Sequence, residues 1–187
     1  DAHQTLEMRA ASSAGEPLNT EVVTWVEKSL GCPVMDHYGQ TETGMTCNNH
    51  HALDHPKHVG AMGVPMPGYR LAILDAEYKE LPAGQPGVLA VDIKNSPAHF
   101  FQGYTWQEKH PFAEGYYLTG DVVIRNEDGT FQFAGRDDDI ITTAGYRVGP
   151  TDVENSVMTH PAVAESAAVG QPDDIRGEVI KSYIVLR

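Results

Sequence analysis

The chain has 187 residues, with 13 Lys plus Arg against 26 Asp plus Glu, for a formal net charge of −13. That balance argues against a nucleic-acid or anionic-membrane surface as partner. An apolar share of 41% argues against wholesale disorder, and no run reaches the ~18–20 apolar residues of a membrane span. The chain opens Asp1-Ala2-His3-Gln4, without Met and without a signal-like apolar stretch, and this reads as a cut point. Two cysteines, Cys32 and Cys47, are too few for a disulfide framework and predict a reduced, cytoplasmic setting.

The first predicted element is a helix over about residues 20–30. Thr20 is placed to cap it, Glu21 suits its positive N-terminal end, and Gly31 can end it. Val22, Val23, Val26 and Leu30 recur on one side at helical spacing. A short strand over 34–38 follows, and then a polar turn, Gly39-Gln40-Thr41-Glu42-Thr43-Gly44. Residues 48–68 read as loop, broken by Pro56, Gly60, Gly63, Pro65, Pro67 and Gly68. The pattern then turns to strands, with Tyr69, Leu71 and Ile73, then Leu89, Val91 and Ile93, then Phe131 and Phe133 alternating with other residues. Asp128-Gly129 is a hairpin turn between 122–125 and 130–134. These signals predict a small antiparallel or barrel-like unit over about 68–134.

Past the acidic bend at Asp137-Asp138-Asp139 the pattern predicts a hairpin over 140–148, a helix and two strands. Thr151-Asp152-Val153-Glu154 reads as a capping box, and Pro161 stops the helix. The strands span 162–169 and 178–186, with Asp173-Asp174 in the connection, and the chain ends on Arg187. A domain ending directly on a strand is expected to be incomplete.

Four islands carry chemistry. Gly15-Glu16-Pro17 lets backbone approach a flat ligand closely. Tyr38-Gly39-Gln40-Thr41-Glu42-Thr43-Gly44 sets an aromatic face, hydroxyls and a hard carboxylate at a strand end, where α/β folds place ligands. The hydroxyls suit phosphate, and the carboxylate suits Mg²⁺. In Tyr117-Leu118-Thr119-Gly120-Asp121 the Asp can accept both hydroxyls of a ribose. Residues 135–150 hold Arg136 and Arg147, natural partners of phosphate or ribose oxygens. Taken singly, each island is also an ordinary turn or charged linker.

Together, in this order, they resemble the adenylate-forming superfamily of acyl-CoA synthetases, peptide synthetase adenylation domains and firefly luciferase. The resemblance rests on Tyr38 to Gly44, on Tyr117 to Asp121, and on Gly-Arg-x-Asp-Asp-x-Ile from Gly135 followed by Gly145-Tyr146-Arg147 and Glu154. It runs over essentially the whole chain and is nearest the acetyl-CoA and medium-chain acyl-CoA synthetase branch.

The resemblance implies an enzyme that joins a carboxylic acid to ATP as acyl-AMP and passes it to CoA. By the same resemblance Gly15, Glu16 and Pro17 line the adenine site and Tyr38 stacks on adenine. Thr41 contacts the α-phosphate, Glu42 holds Mg²⁺, Asp121 binds the ribose with help from Arg136, and Arg147 approaches the phosphates. Gly145 and Tyr146 face the CoA tunnel, and Asp138 is the hinge. The implied fold is mixed α/β. Residues 1–137 form the C-terminal part of a large domain, an α/β sheet layer plus a barrel-like subdomain. Residues 138–187 start a small α+β lid. Acetate-restricted relatives carry Trp where this chain has Gly39, which favours a longer acid, although a pocket argument of this kind is worth only about 1–3 kcal/mol per methylene.

The family's phosphate loop and catalytic lysine have no match here, and Lys181 does not fit the lysine motif. The isolated chain is therefore expected to make no acyl-CoA. The alternatives are a separate nucleotide-binding module, alone or in a split enzyme, and an aryl or amino-acid adenylating relative. Two side features remain. His50, His51, His55 and His58 could bind a metal, although their Pro- and Gly-flanked setting reads as a solvated loop. Phe100, Phe101, Tyr104 and Trp106 read as packing. Nothing in the sequence sets an oligomeric state.

Overall fold

The computed structural model describes residues 7–18, 20–106 and 110–187. The start at Asp1-Ala2-His3-Gln4 lies outside the described residues. The chain divides into two units, residues 1–119 with 123–133, and residues 120–122 with 134–187.

In the first unit, β1 (Ala11–Ala14) is followed by α1 (Thr20–Leu30) and β2 (Val34–Gln40). The helix is the crossover that lets β2 lie parallel to β1, with Ala14 opposite His37. Thr20 is the first residue of the helix rather than its cap, and its carbonyl accepts the Thr24 hydroxyl at 3.0 Å. Gly31 ends α1 at φ +67°, a conformation that glycine takes without strain. On the predicted apolar side Val26 is buried, but Val22 is exposed.

β2 turns back into antiparallel β3 (Gly44–Asn48), which pairs with β4 (Ala61–Pro65). The loop expected over 48–68 therefore contains a strand. Its glycines misled the reading: Gly63 sits at φ +94° with Asn48 backbone so close that a Cβ would fall 2.1 Å from it. That glycine marks a close strand approach rather than a loop. The remaining strands are β5 (Leu71–Leu74), β6 (Pro86–Asp92), β7 (Phe112–Ala113), β8 (Tyr116–Arg125) and β9 (Phe131–Arg136). The sheet order is β1-β2-β3-β4-β9-β8-β6-β5, with β7 on β8. The strands read as a small antiparallel or barrel-like unit over about 68–134 continue one path with the first four, within the expected mixed α/β class.

The core lies on this sheet. Ile73, Leu89, Val91, Val123 and Phe131 cluster with Cys47, Met62 and Tyr117. Ala72, Leu74 and Ala90 form a second cluster with Tyr116 and Leu118. β5 is buried at every position, so its alternation reported only one of two covered faces. The expected hairpin turn is present: Gly129 has φ +85°, and the Asp128 carboxylate accepts the Thr130 N–H at 3.0 Å and its hydroxyl at 2.7 Å.

The second unit holds β10 (Ile141–Thr143), β11 (Tyr146–Val148), α2 (Pro150–Met158), β12 (Val163–Asp173) and β13 (Gly177–Leu186), in sheet order β11-β10-β13-β12. The hairpin, helix and strand pair follow the sequence reading, but the capping box does not. Gly149 occupies the cap, and Thr151 lies inside the helix. A Cβ on Gly149 would fall 2.0 Å from the Ala134 carbonyl oxygen, so no capping side chain fits there. Glu154 is used elsewhere, accepting the Ala168 N–H at 2.9 Å. Among the described residues no helix is long and apolar enough to cross a membrane.

Candidate nucleotide-binding site

The first unit brings two of the four islands to one end of a strand pair. Gly15, Glu16 and Pro17 leave β1 directly after Ala14, and Tyr38 follows His37, the partner of Ala14. Gly15 turns the chain at φ +101°. Tyr38 packs partly against the core. Gly39 sits at a register shift where a Cβ would lie 2.2 Å from the Gly44 carbonyl oxygen. The close approach of β3 therefore requires a glycine there, whatever it also leaves open.

The turn after β2 is tightly held. The Gln40 and Thr43 backbones bond across it, with Thr43 N–H to the Gln40 carbonyl at 3.2 Å and Gln40 N–H to the Thr43 hydroxyl at 3.2 Å. Thr43 is 2% exposed and serves the turn, and the Tyr69 phenol donates to its carbonyl. The Gln40 amide donates to the Thr119 carbonyl at 2.9 Å and accepts the buried Tyr117 phenol at 3.0 Å. This leaves Thr41 exposed at the tip and Glu42 half-buried beside it. Glu42 accepts the Tyr104 phenol at 2.9 Å. The carboxylate in turn pushes the Tyr104 phenol up from its ordinary pKa, with burial adding to the shift. No Lys, Arg or His among the described residues forms an ion pair with Glu42. A hard carboxylate without a protein cation, next to an exposed hydroxyl, is a donor set that fits a phosphate-bound Mg²⁺.

The second unit holds the other groups. Asp121 is 4% exposed on β8, and Arg136 donates to it at 3.1 Å. The same guanidinium reaches the Asp138 carboxylate at 3.3 Å and lies against Gly120, where a Cβ would meet its Nη2 at 3.0 Å. Arg147, on β11, donates to Asp137 at 2.7 Å. Gly145 lies in the β10–β11 turn at φ +86°, and Tyr146 beside it is 74% exposed. The structure thus brings Asp121, Arg136 and Asp138 together and adds Asp137, which the sequence reading had not singled out as a partner of Arg147.

The histidines disperse. His50 N–H donates to His55 Nε2 at 2.9 Å, which leaves the His55 Nδ1 proton for the Pro56 carbonyl at 2.7 Å. His51 meets the Ser12 hydroxyl at 3.1 Å, as does His37, and His58 pairs with Asp128. No group of three or more His, Cys, Asp or Glu among the described residues is arranged to hold a metal. In the aromatic run Phe101 packs against Phe112 and Tyr117, whereas Phe100 and Trp106 are exposed. The reading of these residues as packing missed the polar end of Tyr104. It also missed Gln40 and Tyr117 as a brace for the turn.

Known proteins resemble this chain over nearly its whole length. The AMP-binding enzyme family model matches residues 1–105, and the AMP-binding enzyme C-terminal domain matches residues 152–187. The 4-hydroxybutyrate–CoA ligase 1 of Metallosphaera sedula is 43% identical over 96% of this chain and 32% of its own length. The rat mitochondrial acyl-coenzyme A synthetase ACSM3 is 42% identical over 93% of this chain and 30% of its own. Among solved structures, a Brucella canis acyl-CoA synthetase is 52% identical with a TM-score of 0.69, over 96% of this chain and 33% of that one. ATP-bound MatB from Rhodopseudomonas palustris is 31% identical with a TM-score of 0.83, over 94% of this chain and 35% of that one. The chain thus spans about a third of the length of the relatives it matches. On the match over residues 1–105 and on the turn and strand geometry above, the chain belongs to the AMP-binding enzyme family.

Proposed function

We propose that the protein carrying this chain is an AMP-forming acid–thiol ligase. It joins a short- to medium-chain carboxylic acid to ATP as acyl-AMP with release of pyrophosphate, and then transfers the acyl group to CoA. The observation that carries this reading is the braced turn after β2, which offers Thr41 and Glu42 at the end of the β1–β2 pair where the Gly15–Pro17 loop also leaves. The names of the similar proteins, which include acyl-CoA synthetases and a hydroxybutyrate–CoA ligase, support the reaction class.

Gly15, Glu16, Pro17 and Tyr38 bind the adenine, and Asp121 takes the ribose hydroxyls with Arg136 holding its carboxylate. Thr41 donates to the α-phosphate. Glu42 would hold Mg²⁺, which neutralises charge on the phosphates as pyrophosphate leaves. Arg147 adds a fixed positive charge to that stage, and Gly145 with Tyr146 borders the CoA path. The large-domain part ends at residue 137, and Asp138 is the hinge of a lid that presents different groups to the two half-reactions. Free, buried Cys32 and Cys47 support a reducing compartment, and the cytoplasm is our assignment.

The test is a panel of acetate, butyrate, octanoate and benzoate on the complete protein, read as pyrophosphate release with and without CoA. Butyrate or octanoate is expected to lead, with full turnover only when CoA is present. Acetate far ahead of both would overturn the chain-length assignment. Benzoate ahead of both would favour an aryl-acid ligase, a reading supported by the likeness to a benzoate CoA ligase of 28% identity and TM-score 0.81. The isolated chain is expected to release no pyrophosphate.

A further inference from the structure

The turn that offers Glu42 is fixed through its backbone, by Thr43, Tyr69 and Gln40. None of those bonds restrains the Glu42 side chain. A glutamate has three rotatable torsions, and an unrestrained one loses that freedom on binding a cation. The one hydrogen bond that holds this carboxylate among the described residues comes from Tyr104, 62 positions away, at 2.9 Å to Oε1. The Tyr104 ring is itself fixed. It stacks on Trp106 with centroids 4.8 Å apart and meets Phe101 edge-on at 5.0 Å. Phe101 rests in turn on Tyr117 and Phe112 at the core.

We propose that Tyr104 is a positioning residue: its phenol holds Oε1 of Glu42 so that the carboxylate is set in advance to take, through Oε2, the divalent cation that accompanies ATP. This rests on the role given to Glu42 above. A phenol suits the task because it orients the carboxylate without cancelling its charge, whereas Lys or Arg would compete with the cation. It also explains why an aromatic run that is half exposed is anchored to the core at Phe101. Outer partners of metal ligands typically matter by about 10–100-fold in metal affinity, and an accessible site belongs at the lower end.

The test measures binding of a non-hydrolysable ATP analogue to the complete protein by calorimetry, in excess Mg²⁺ and in EDTA. The ratio of the two affinities is the gain due to the metal. Tyr104→Phe keeps the ring stacking and removes only the hydroxyl. It is expected to reduce that ratio about tenfold while leaving the EDTA affinity unchanged. A ratio equal to or larger than that of the wild type overturns the proposal, and so does an equal loss in both conditions, which would mean a purely structural role. A wild type with no metal-dependent gain would instead remove the role of Glu42, so the two failures are distinguishable. If the variant does not fold, Tyr104→Trp, which keeps an aromatic ring but moves its donor, is measured in the same way: the metal-dependent gain is expected to fall about tenfold, and an unchanged gain overturns the proposal.

Discussion

The two units hold their charged and polar groups by different means. In the first, the turn bearing Thr41 and Glu42 is tied to buried groups: Thr43 is 2% exposed and Tyr117 is 3% exposed. In the second, Arg147 and Asp137 keep about half their side-chain surface in water, and Asp138 keeps 75%. A hydrogen bond shielded from water is costly to leave unmade, whereas water readily replaces a surface ion pair. The first unit is therefore built to present one fixed arrangement. The second holds Arg147 in a pair that an incoming anion can exchange at little cost. The same contrast shows in the packing: α2 buries no residue, while β5 is buried throughout.

The largest effect that can break this contrast is a core truncation. Leu89 is fully buried on β6 and lies in the main cluster. Leu89→Ala is expected to destabilise the chain by about 2–5 kcal/mol, from lost burial plus the cavity left behind. Leu186 on β13 is 68% exposed, and Leu186→Ala should stay within about 0.5 kcal/mol. Urea unfolding of both variants checks this, and equal losses would erase the difference in packing.

The next effect is a pH dependence set by Asp36 in the first unit. Burial pushes the Asp36 carboxyl up to about 6 from an ordinary 3.8, against hydrogen bonds from the Leu18 and His37 backbones. A raised carboxyl pKa means the native state holds a proton that the unfolded chain has already released. Stability from this group is therefore greatest below about pH 3.8 and falls as pH rises through about 6. At about 1.4 kcal/mol per unit the full shift is roughly 3 kcal/mol, and partial solvent screening reduces it to about 1–2 kcal/mol. Asp36→Asn should be more stable than wild type at neutral pH and should lose that slope. Unfolding midpoints at about pH 4.5 and pH 7 measure it; a slope retained in the variant would assign it to another group.

Of similar size is the brace on the turn. Gln40→Leu removes the bonds to the Thr119 carbonyl and the Tyr117 phenol and should cost about 1–3 kcal/mol. If thermal unfolding shows no loss, the turn does not depend on its buried partners.

What the sequence made legible follows from the range of each interaction. The Asp128-Gly129 turn and the β12–β13 connection at Asp173 depend on a few neighbouring residues, and their residue types announce them. The motif turn was legible for the same reason, because its hydroxyls and carboxylate are adjacent. β4 was hidden because Gly63 signals a break, while its φ of +94° serves a close approach by Asn48, a distant strand. The cap of α2 was misassigned because Thr151 has the right chemistry, but contact with Ala134 requires glycine at 149. The partners of Gln40 and Glu42 were out of reach in the same way. They come from Tyr117 and Tyr104, and an aromatic pattern shows a ring that packs without showing where its hydroxyl points.

The smallest effect tests the other side of the contrast. Arg147 and Asp137 meet at 2.7 Å, with side chains 54% and 48% exposed. A short distance alone would suggest a strong pair, yet in water the gain is offset by side-chain ordering and screened by salt. A double-mutant cycle of Arg147→Ala and Asp137→Ala should give a coupling of about 0.2–1 kcal/mol at low ionic strength, fading in molar salt. Weak coupling keeps Arg147 available to a phosphate, which pairs with arginine in two places and carries more charge than a carboxylate. A coupling above about 2 kcal/mol that survives salt would place this pair on the same footing as the braced turn. The arginine would then have to break a firm contact before it could serve a ligand, and the contrast between the fixed and the exchangeable unit would not hold.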